Sequence, residues 1–177
     1  MGYSRSKDVL GQHVDGGPGE FVNPGRTSTN AWCVDMCEEE EVPRRINERL
    51  RNLTGIPDAN AEPLQLLKYE EGQFYETHHD LIDYQLERQG GHRILTVFIY
   101  LNDVEEGGGT MFDELELTVM PKRGRVLIWP SVYNDDPLKK DWRTEHQALK
   151  VERGIKYGAN AWYHMRDYKT PNAKRCM

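Results

Sequence analysis

Residues 64–80 read LQLLKYEEGQFYETHHD, two short runs of apolar, aromatic and β-branched residues divided by the polar turn EEGQ. Runs of this length with a turn signal between them are typical of consecutive β-strands. On a strand, residues two apart point to the same face, so His78 and Asp80 are expected to project together while His79 faces the other way. The segment therefore predicts a sheet protein with a polar His-x-Asp pair on one face.

The same pattern continues toward the C-terminus. Strands are predicted at 64–69, 74–80, 93–101, 116–120, 125–130, 146–151 and 158–165, separated by turn signals such as NDVEEGGG, PKRG and VERG. One helix is predicted over VPRRINERLRNLTG (42–55), with Pro43 in its first turn and Gly55 at its end. Because no β-α-β alternation and no internal repeat occurs, the pattern favours a mainly β sandwich or barrel with a flanking helix.

Size and composition indicate one globular domain over residues 1–177. The chain has 177 residues, 37% hydrophobic and 29% charged, which is ordinary for a folded domain. Its net charge of −6, without a run of Lys or Arg among aromatics, argues against a nucleic-acid partner. No apolar stretch approaches the roughly 20 residues that span a bilayer, so no membrane partner is expected. The sequence does not indicate which oligomeric state the protein adopts.

The ends of the chain and the cysteines carry further expectations. The first residues, MGYSRSKDVLGQ, lack the apolar region of a signal peptide, which leaves the cytoplasm, or the ER lumen after removal of a leader. Residues 1–25 are expected to be largely loop, with a Gly- and Pro-rich stretch at 11–25 that is either a lid or a connector, and the tail 169–177 is expected to fray. Three cysteines are too few for a disulfide framework, so Cys33, Cys37 and Cys176 are expected to be reduced.

The His-x-Asp pair is two-thirds of the two-His, one-carboxylate set that binds Fe(II) and leaves coordination positions open. The third ligand must come from another strand, and His146, at the start of a late strand, is the best candidate. Taken alone, His-x-Asp also fits a simple polar pair. His13 and His92 are interpreted as solvated loop residues.

Lys156 begins the strand region after the VERG turn. A lysine that enters a barrel interior is costly unless its charge is paired, and a dicarboxylate ligand would supply the pairing. The alternative is a surface side chain on a strand edge.

Five blocks in series together resemble the catalytic domain of prolyl 4-hydroxylases: RTSTNAW (26–32), 64–80, GGHRILTVFIYLNDVEEGGGTMF (90–112), PKRGRVLIW (121–129) and the run from His146 to His164. The resemblance covers Arg26 to His164, most of the chain. It implies a double-stranded β-helix (jelly roll) core with iron near one mouth.

The resemblance also implies roles for individual residues. The iron ligands would be His78, Asp80 and His146. The 2-oxoglutarate contacts would be Lys156 and Tyr69 at the distal carboxylate, with Thr96 on a strand lining the same pocket. Residues near the peptide or the oxidising centre would be Arg93 and His164, read as catalytic, and Tyr75 and Trp162, read as substrate-binding. Without the resemblance, the aromatic residues among these also fit core packing, and Arg93 also fits a surface charge.

The implied activity is that of an Fe(II)- and 2-oxoglutarate-dependent dioxygenase using O2 and ascorbate. It would hydroxylate peptidyl proline at C4 and release succinate and CO2. Asp80 favours hydroxylation over halogenation, because related halogenases lack a carboxylate there. The alternatives are the same chemistry on a free amino acid or another small molecule, and a non-catalytic jelly-roll binding module.

Three features depart from the family pattern. His79 stands where an aromatic residue is usual, and is expected to lie behind the ligands or to pack. QALKV follows His146 in place of a glycine-rich stretch with a proline, and charged residues crowd the approach to His146. The last two differences are interpreted as lying on the substrate side of the site, whereas His79 leaves open an altered set of metal ligands. The chain also begins later than such domains usually do, so it is interpreted as either a trimmed or a minimal version of the domain.

Overall fold

The computed structural model describes residues 2–12, 18–21 and 24–174. Within these ranges the strands are β1 (Ser4–Arg5), β2 (Asp8–Gln12), β3 (Pro18–Phe21), β4 (Thr29–Trp32), β5 (Gln65–Tyr69), β6 (Tyr75–His78), β7 (Arg93–Tyr100), β8 (Glu106–Gly107), β9 (Thr110–Phe112), β10 (Leu117–Val119), β11 (Val126–Pro130), β12 (His146–Ala148), β13 (Val151–Arg153) and β14 (Lys156–His164). The α-helices are α1 (Met36–Glu39), α2 (Glu41–Thr54) and α3 (Lys169–Ala173). Single 3-10 turns lie at Asp58–Asn60, Asp83–Glu87, Asp113–Leu115 and Trp142–Thr144.

Two antiparallel sheets form the jelly roll. The larger sheet has six strands in the order β1-β4-β5-β14-β7-β11, and the smaller has four in the order β10-β9-β12-β6. Apart from the pairs β4-β5 and β9-β10, neighbouring strands in both sheets are non-consecutive in the chain, as expected when strands alternate between two layers. Residues of both sheets, among them Leu67 of β5 and Phe112 of β9, share one buried cluster between the layers. The predicted mainly β, jelly-roll architecture is confirmed.

Helix α2 covers the outer face of the large sheet. Leu50 on α2 is buried and packs with Val97 and Ile99 of β7, and its burial contributes on the order of 2 kcal/mol. The helix ends where Gly55 adopts φ 70° and its N–H donates to Arg51 O. Glycine suits this left-handed position because it has no Cβ.

The strand alternation divides β7 and β14 between two environments. Ala159, Ala161 and Tyr163 of β14 pack in the cluster beneath α2, whereas Lys156 and Trp162 point to the other face, between the sheets. A register shift between Tyr163 and His164 places Arg93 opposite His164. A bulge of this kind re-aims a side chain, and here it brings Arg93 to the inner face.

Several expectations about the connecting segments were wrong. Part of the predicted loop 11–25 is a hairpin, since β2 pairs with β3 from Asp8↔Phe21 to Gln12↔Pro18. The predicted strand 146–151 is divided into β12 and β13, which pair with different partners. The tail contains α3, in which Pro171 is buried. His13, Cys176 and the rest of 13–17, 22–23 and 175–177 lie outside the described residues.

The cysteine expectation was also wrong for two of the three residues. Cys33, at the end of β4, forms a disulfide with Cys37 in α1, and their Cα atoms are 5.0 Å apart. That separation lies within the range a disulfide bridges. Cys33 is 1% exposed and packs with Leu50 of α2, so the disulfide ties the sheet to the helical segment. None of the described helices has the length and apolar character required to cross a membrane.

Candidate active site

Three potential metal ligands converge at one end of the small sheet. His78 ends β6, His146 begins β12, and the two face each other across the strand pair. Asp80 follows two residues after His78, beyond the end of the strand. The Nε2 atoms of His78 and His146 lie 4.0 and 3.8 Å from the Asp80 carboxylate oxygens. One donor atom from each of the three residues lies within 4.8 Å of the others.

Backbone carbonyls orient both imidazoles. His78 Nδ1 lies 2.8 Å from Glu76 O, and His146 Nδ1 lies 2.9 Å from Thr144 O. Since a carbonyl only accepts, each Nδ1 carries the proton and each Nε2 presents a lone pair to the centre of the cluster. Burial, together with the neighbouring His146, lowers the pKa of His78, so the ring is neutral near pH 7. A neutral imidazole is the form that binds a metal.

Asp80 is held as a carboxylate. Burial alone would raise its pKa, but the adjacent histidines His146 and His78 outweigh this effect, and the pKa falls below its usual range. Thr96 Oγ1 donates a 2.6 Å hydrogen bond to Asp80 Oδ2. Thr96 is fully buried and does not line the cavity described next, although the resemblance implied that it would lie on a strand lining the 2-oxoglutarate pocket.

A cavity of about 360 Å³ contains both the three-residue cluster and Lys156. Small-molecule sites in proteins commonly have volumes in this range. The other predicted site residues that line the cavity are Tyr69, Tyr75, Arg93 and Trp162. Two predicted residues, Thr96 and His164, lie behind its wall.

Lys156 is buried and has no counter-ion among the residues that the structure describes. Its side chain is 1% exposed, and Nζ lies 5.1, 5.3 and 5.5 Å from the ring centroids of Tyr69, Phe98 and Tyr100. No hydrogen bond or ion pair joins Nζ to any residue that the structure describes. Burial lowers the pKa of Lys156 to about 7. An anionic group in the cavity would satisfy the ammonium and restore its usual pKa.

Arg93, Glu62 and His164 form a buried network at another wall. Arg93 donates to both Glu62 carboxylate oxygens, at 2.5 and 3.1 Å, and its guanidinium lies 3.7 Å from the Trp162 ring centroid. His164 Nε2 reaches Glu62 Oε1 at 2.8 Å, and His164 is 2% exposed. His164 does not line the cavity, and Glu62 connects it by hydrogen bonds to Arg93, which does. No role was predicted for Glu62 from the sequence.

Tyr75 and Arg26 form the wall next to His78. The Tyr75 ring stacks on the His78 imidazole at a centroid distance of 3.6 Å, and the Arg26 guanidinium lies 4.7 Å from the Tyr75 centroid. Arg26 is 7% exposed and also donates to Gln65 Oε1 at 3.2 Å. Arg26 opens the RTSTNAW block, but the sequence alone did not assign it to the cavity.

His79 and His92 both form hydrogen bonds with the backbone. His79 Nδ1 accepts from Leu81 N at 3.0 Å, and its Nε2 lies 3.0 Å from Asp141 O. Burial lowers the pKa of His79. His92 was expected to be solvated, but it is 1% exposed and its Nε2 lies 2.7 Å from Pro137 O.

We expect Glu62→Gln to destabilise the protein by about 3 kcal/mol at pH 7, because it breaks a buried charge pair and leaves Arg93 uncompensated. Burial raises the pKa of Glu62, but Arg93 and His164 outweigh burial and hold it at about 2. With the pKa depressed, this stabilisation is present above pH 4.5 and is lost as the pH falls toward 2. Urea denaturation at pH 7 and at pH 3 measures both effects.

The matched control for Glu62 is Glu105→Gln, which removes an exposed ion pair to Arg153. Its cost should be below about 1 kcal/mol. Equal losses of unfolding free energy in the two variants would show that the Glu62 pair does not contribute as described. The same conclusion would follow if the stability of Glu62→Gln kept the pH dependence of the unsubstituted protein.

Comparisons with known proteins agree with this geometry. Residues 64–164 match the family described as the 2OG-Fe(II) oxygenase superfamily. The chain is 38% identical over 149 residues to probable prolyl 4-hydroxylase 8 of Arabidopsis thaliana, covering 73% of this chain and 51% of that protein. It is 36% identical over 146 residues to prolyl 4-hydroxylase subunit alpha-1 of Rattus norvegicus, covering 80% of this chain and 27% of that protein. The chain thus spans from about a quarter to half of the length of these relatives.

A solved structure shows the same fold. The viral collagen prolyl hydroxylase of Paramecium bursaria Chlorella virus-1, in complex with 2OG, matches with a TM-score of 0.69 and 29% identity, over 78% of this chain and 79% of that one. On the matched family, the shared fold and the similarity to these relatives, the chain belongs to the 2OG-Fe(II) oxygenase superfamily, as a catalytic domain of the prolyl 4-hydroxylase type.

Proposed function

We propose that this domain is an Fe(II)- and 2-oxoglutarate-dependent dioxygenase that hydroxylates C4 of proline in a peptide or protein. The observation that carries the proposal is the presence, in one cavity, of a two-His, one-carboxylate cluster and a buried lysine that has no counter-ion among the residues the structure describes. The first is the donor set for ferrous iron with open positions, and the second is a site for a carboxylate.

The residues present fit both groups. His78, Asp80 and His146 would hold Fe(II) through two Nε2 atoms and one carboxylate, and their Nδ1–carbonyl hydrogen bonds fix the rings in advance. Lys156 would bind the distal carboxylate of 2-oxoglutarate, with Tyr69 beside it. When bound, Fe(II) with 2-oxoglutarate and O2 supplies the oxidation that yields succinate, CO2 and the hydroxylated product, with ascorbate as reductant.

The chain's own residues would orient the substrate and keep water out. Trp162 and Tyr75 give the cavity aromatic walls, which suit a proline ring. Arg93, fixed by Glu62 and stacked on Trp162, presents a planar donor group to which a peptide carbonyl can bind. Arg93 and His164 would then contribute through positioning, since His164 reaches the cavity only by way of Glu62.

The test is incubation of the protein with Fe(II), 2-oxoglutarate, ascorbate and a panel of proline-containing peptides. We expect succinate release that depends on peptide, and a gain of one oxygen on a proline, located by mass spectrometry. Free proline and other small molecules form a parallel arm. Succinate release with small molecules but with no peptide would mean that the substrate is a small molecule. No succinate release with any substrate would favour a non-catalytic binding module.

A further inference from the structure

The turn that precedes His146 is hydrogen-bonded to the imidazole of this ligand. It is the 3-10 turn Trp142–Thr144, and the Asp141 carboxylate begins it by accepting from Arg143 N at 3.1 Å. At its end, Thr144 O accepts the Nδ1–H of His146 at 2.9 Å. Any displacement of this turn would therefore rotate or withdraw the His146 imidazole.

His79 joins this turn to the segment that carries the other two ligands. Leu81 N donates to His79 Nδ1 at 3.0 Å, so Nδ1 is unprotonated and the proton resides on Nε2. That Nε2–H donates to Asp141 O at 3.0 Å and lies 3.3 Å from Thr144 Oγ1. Thr144 Oγ1 itself donates to Asp141 O at 2.9 Å. The ring thus connects the backbone at Leu81 with the backbone at Asp141.

We propose that His79 is a positioning residue for the metal centre: it holds the turn 141–144 against residues 78–81, so that His146 is in place before an ion binds. The sequence neighbours of His79 are His78 and Asp80, and the turn leads directly to His146. One side chain therefore couples all three ligands through hydrogen bonds to the backbone. The inference rests on the metal site of the proposed function.

A role in packing alone makes a different demand on residue 79. Packing requires a ring of similar size, which phenylalanine provides, and the edge contact with Trp142 at 6.3 Å would persist. Positioning requires the ring nitrogens that bind Leu81 N and Asp141 O, above all the Nε2–H donor to Asp141 O, which links the two segments. Phenylalanine at this position would leave both backbone groups without these partners.

The experiment is a titration of the metal-free protein with Co(II), without oxygen or substrate, followed by the visible absorption of the bound ion. His79→Phe should weaken Co(II) binding by about tenfold, the lower end of what loss of an outer-shell hydrogen bond costs a metal site. His79→Gln, whose amide can reproduce the Nε2–H donor to Asp141 O, should recover most of the affinity. Thr54→Val is the control, since it removes a hydrogen bond to Leu50 O on α2 and should leave Co(II) binding unchanged.

The outcomes separate the inference from the function on which it rests. Failure of the unsubstituted protein to bind Co(II) would overturn the proposed function. Normal Co(II) binding by His79→Phe, or a loss that His79→Gln does not recover, would overturn the positioning role alone. Should His79→Phe not fold, as judged by thermal unfolding, His79→Asn takes its place. Its amide can meet Leu81 N but is too short to reach Asp141 O, and it should show the same loss of affinity.

Discussion

His146→Gln should reduce Fe(II)-dependent succinate release by more than about 100-fold, beyond the range expected for changes outside the ligand set. The substitution removes one of two imidazole donors from a cluster that has only three protein ligands among the described residues. Glutamine is preferred to alanine because His146 is 5% exposed and lies 4.7 Å from the Trp129 ring and 5.6 Å from Phe112. Alanine would also open a cavity there, and the two effects would be mixed.

The control for His146→Gln is His92→Gln. Both histidines are buried and each bonds one ring nitrogen to a backbone carbonyl, but His92 Nε2 binds Pro137 O and takes no part in the cluster. We expect His92→Gln to retain most of its turnover and both variants to unfold cooperatively. Wild-type turnover in His146→Gln, with iron bound, would mean that the metal site is assigned to the wrong residues.

Much of this site could be predicted because it depends on strand alternation, which sequence displays directly. Lys156, Asn160 and Trp162 of β14 are separated by even numbers of residues and line the cavity, so strand alternation alone predicts that they share a face. The pairing of His78 with His146 follows from the antiparallel register of β6 and β12. The local sequence pattern can therefore indicate which face of a strand a residue occupies. The family resemblance indicates which other strand supplies the remaining ligand.

Other features depend on contacts that no local pattern encodes. Arg93 reaches the inner face through a bulge, and strict alternation would place its neighbour Ile94 opposite His164. Glu62 enters the network because the loop before β5 runs along β14, where Glu62 N donates to Trp162 O at 2.9 Å. The Cys33–Cys37 disulfide follows from the proximity of a strand end to a helix start, and a count of three cysteines argued against it.

Lys156→Met should stabilise the ligand-free protein, by about 2 kcal/mol at pH 6, while it abolishes the binding of 2-oxoglutarate. The methionine fills similar space between the rings of Tyr69, Phe98 and Tyr100 without burying a charge. Because burial lowers the pKa of Lys156 from 10.5 to about 7, the folded state carries the full cost of the charge below pH 7. That cost declines as the pH rises from 7 toward 10.5, where the unfolded chain also loses the proton. Urea denaturation without 2-oxoglutarate at pH 6 and pH 9 should therefore show a smaller difference between the two proteins at the higher pH.

Saturation with 2-oxoglutarate should reverse this order of stability. A ligand at 100 times its Kd adds about 2.7 kcal/mol to the unfolding free energy, and only the protein with Lys156 should gain it. The affinity should fall as the pH rises above 7, since the bound carboxylate needs the protonated amine and binding must then take up a proton. Lys150→Met, at a half-exposed surface lysine, should change neither stability nor affinity appreciably. Equal stabilisation of Lys156→Met by 2-oxoglutarate would contradict the assignment of this lysine. With the expected result, Lys156 would destabilise the ligand-free protein and stabilise the complex with 2-oxoglutarate. Such a residue serves ligand binding, because packing alone would favour its replacement by an apolar residue.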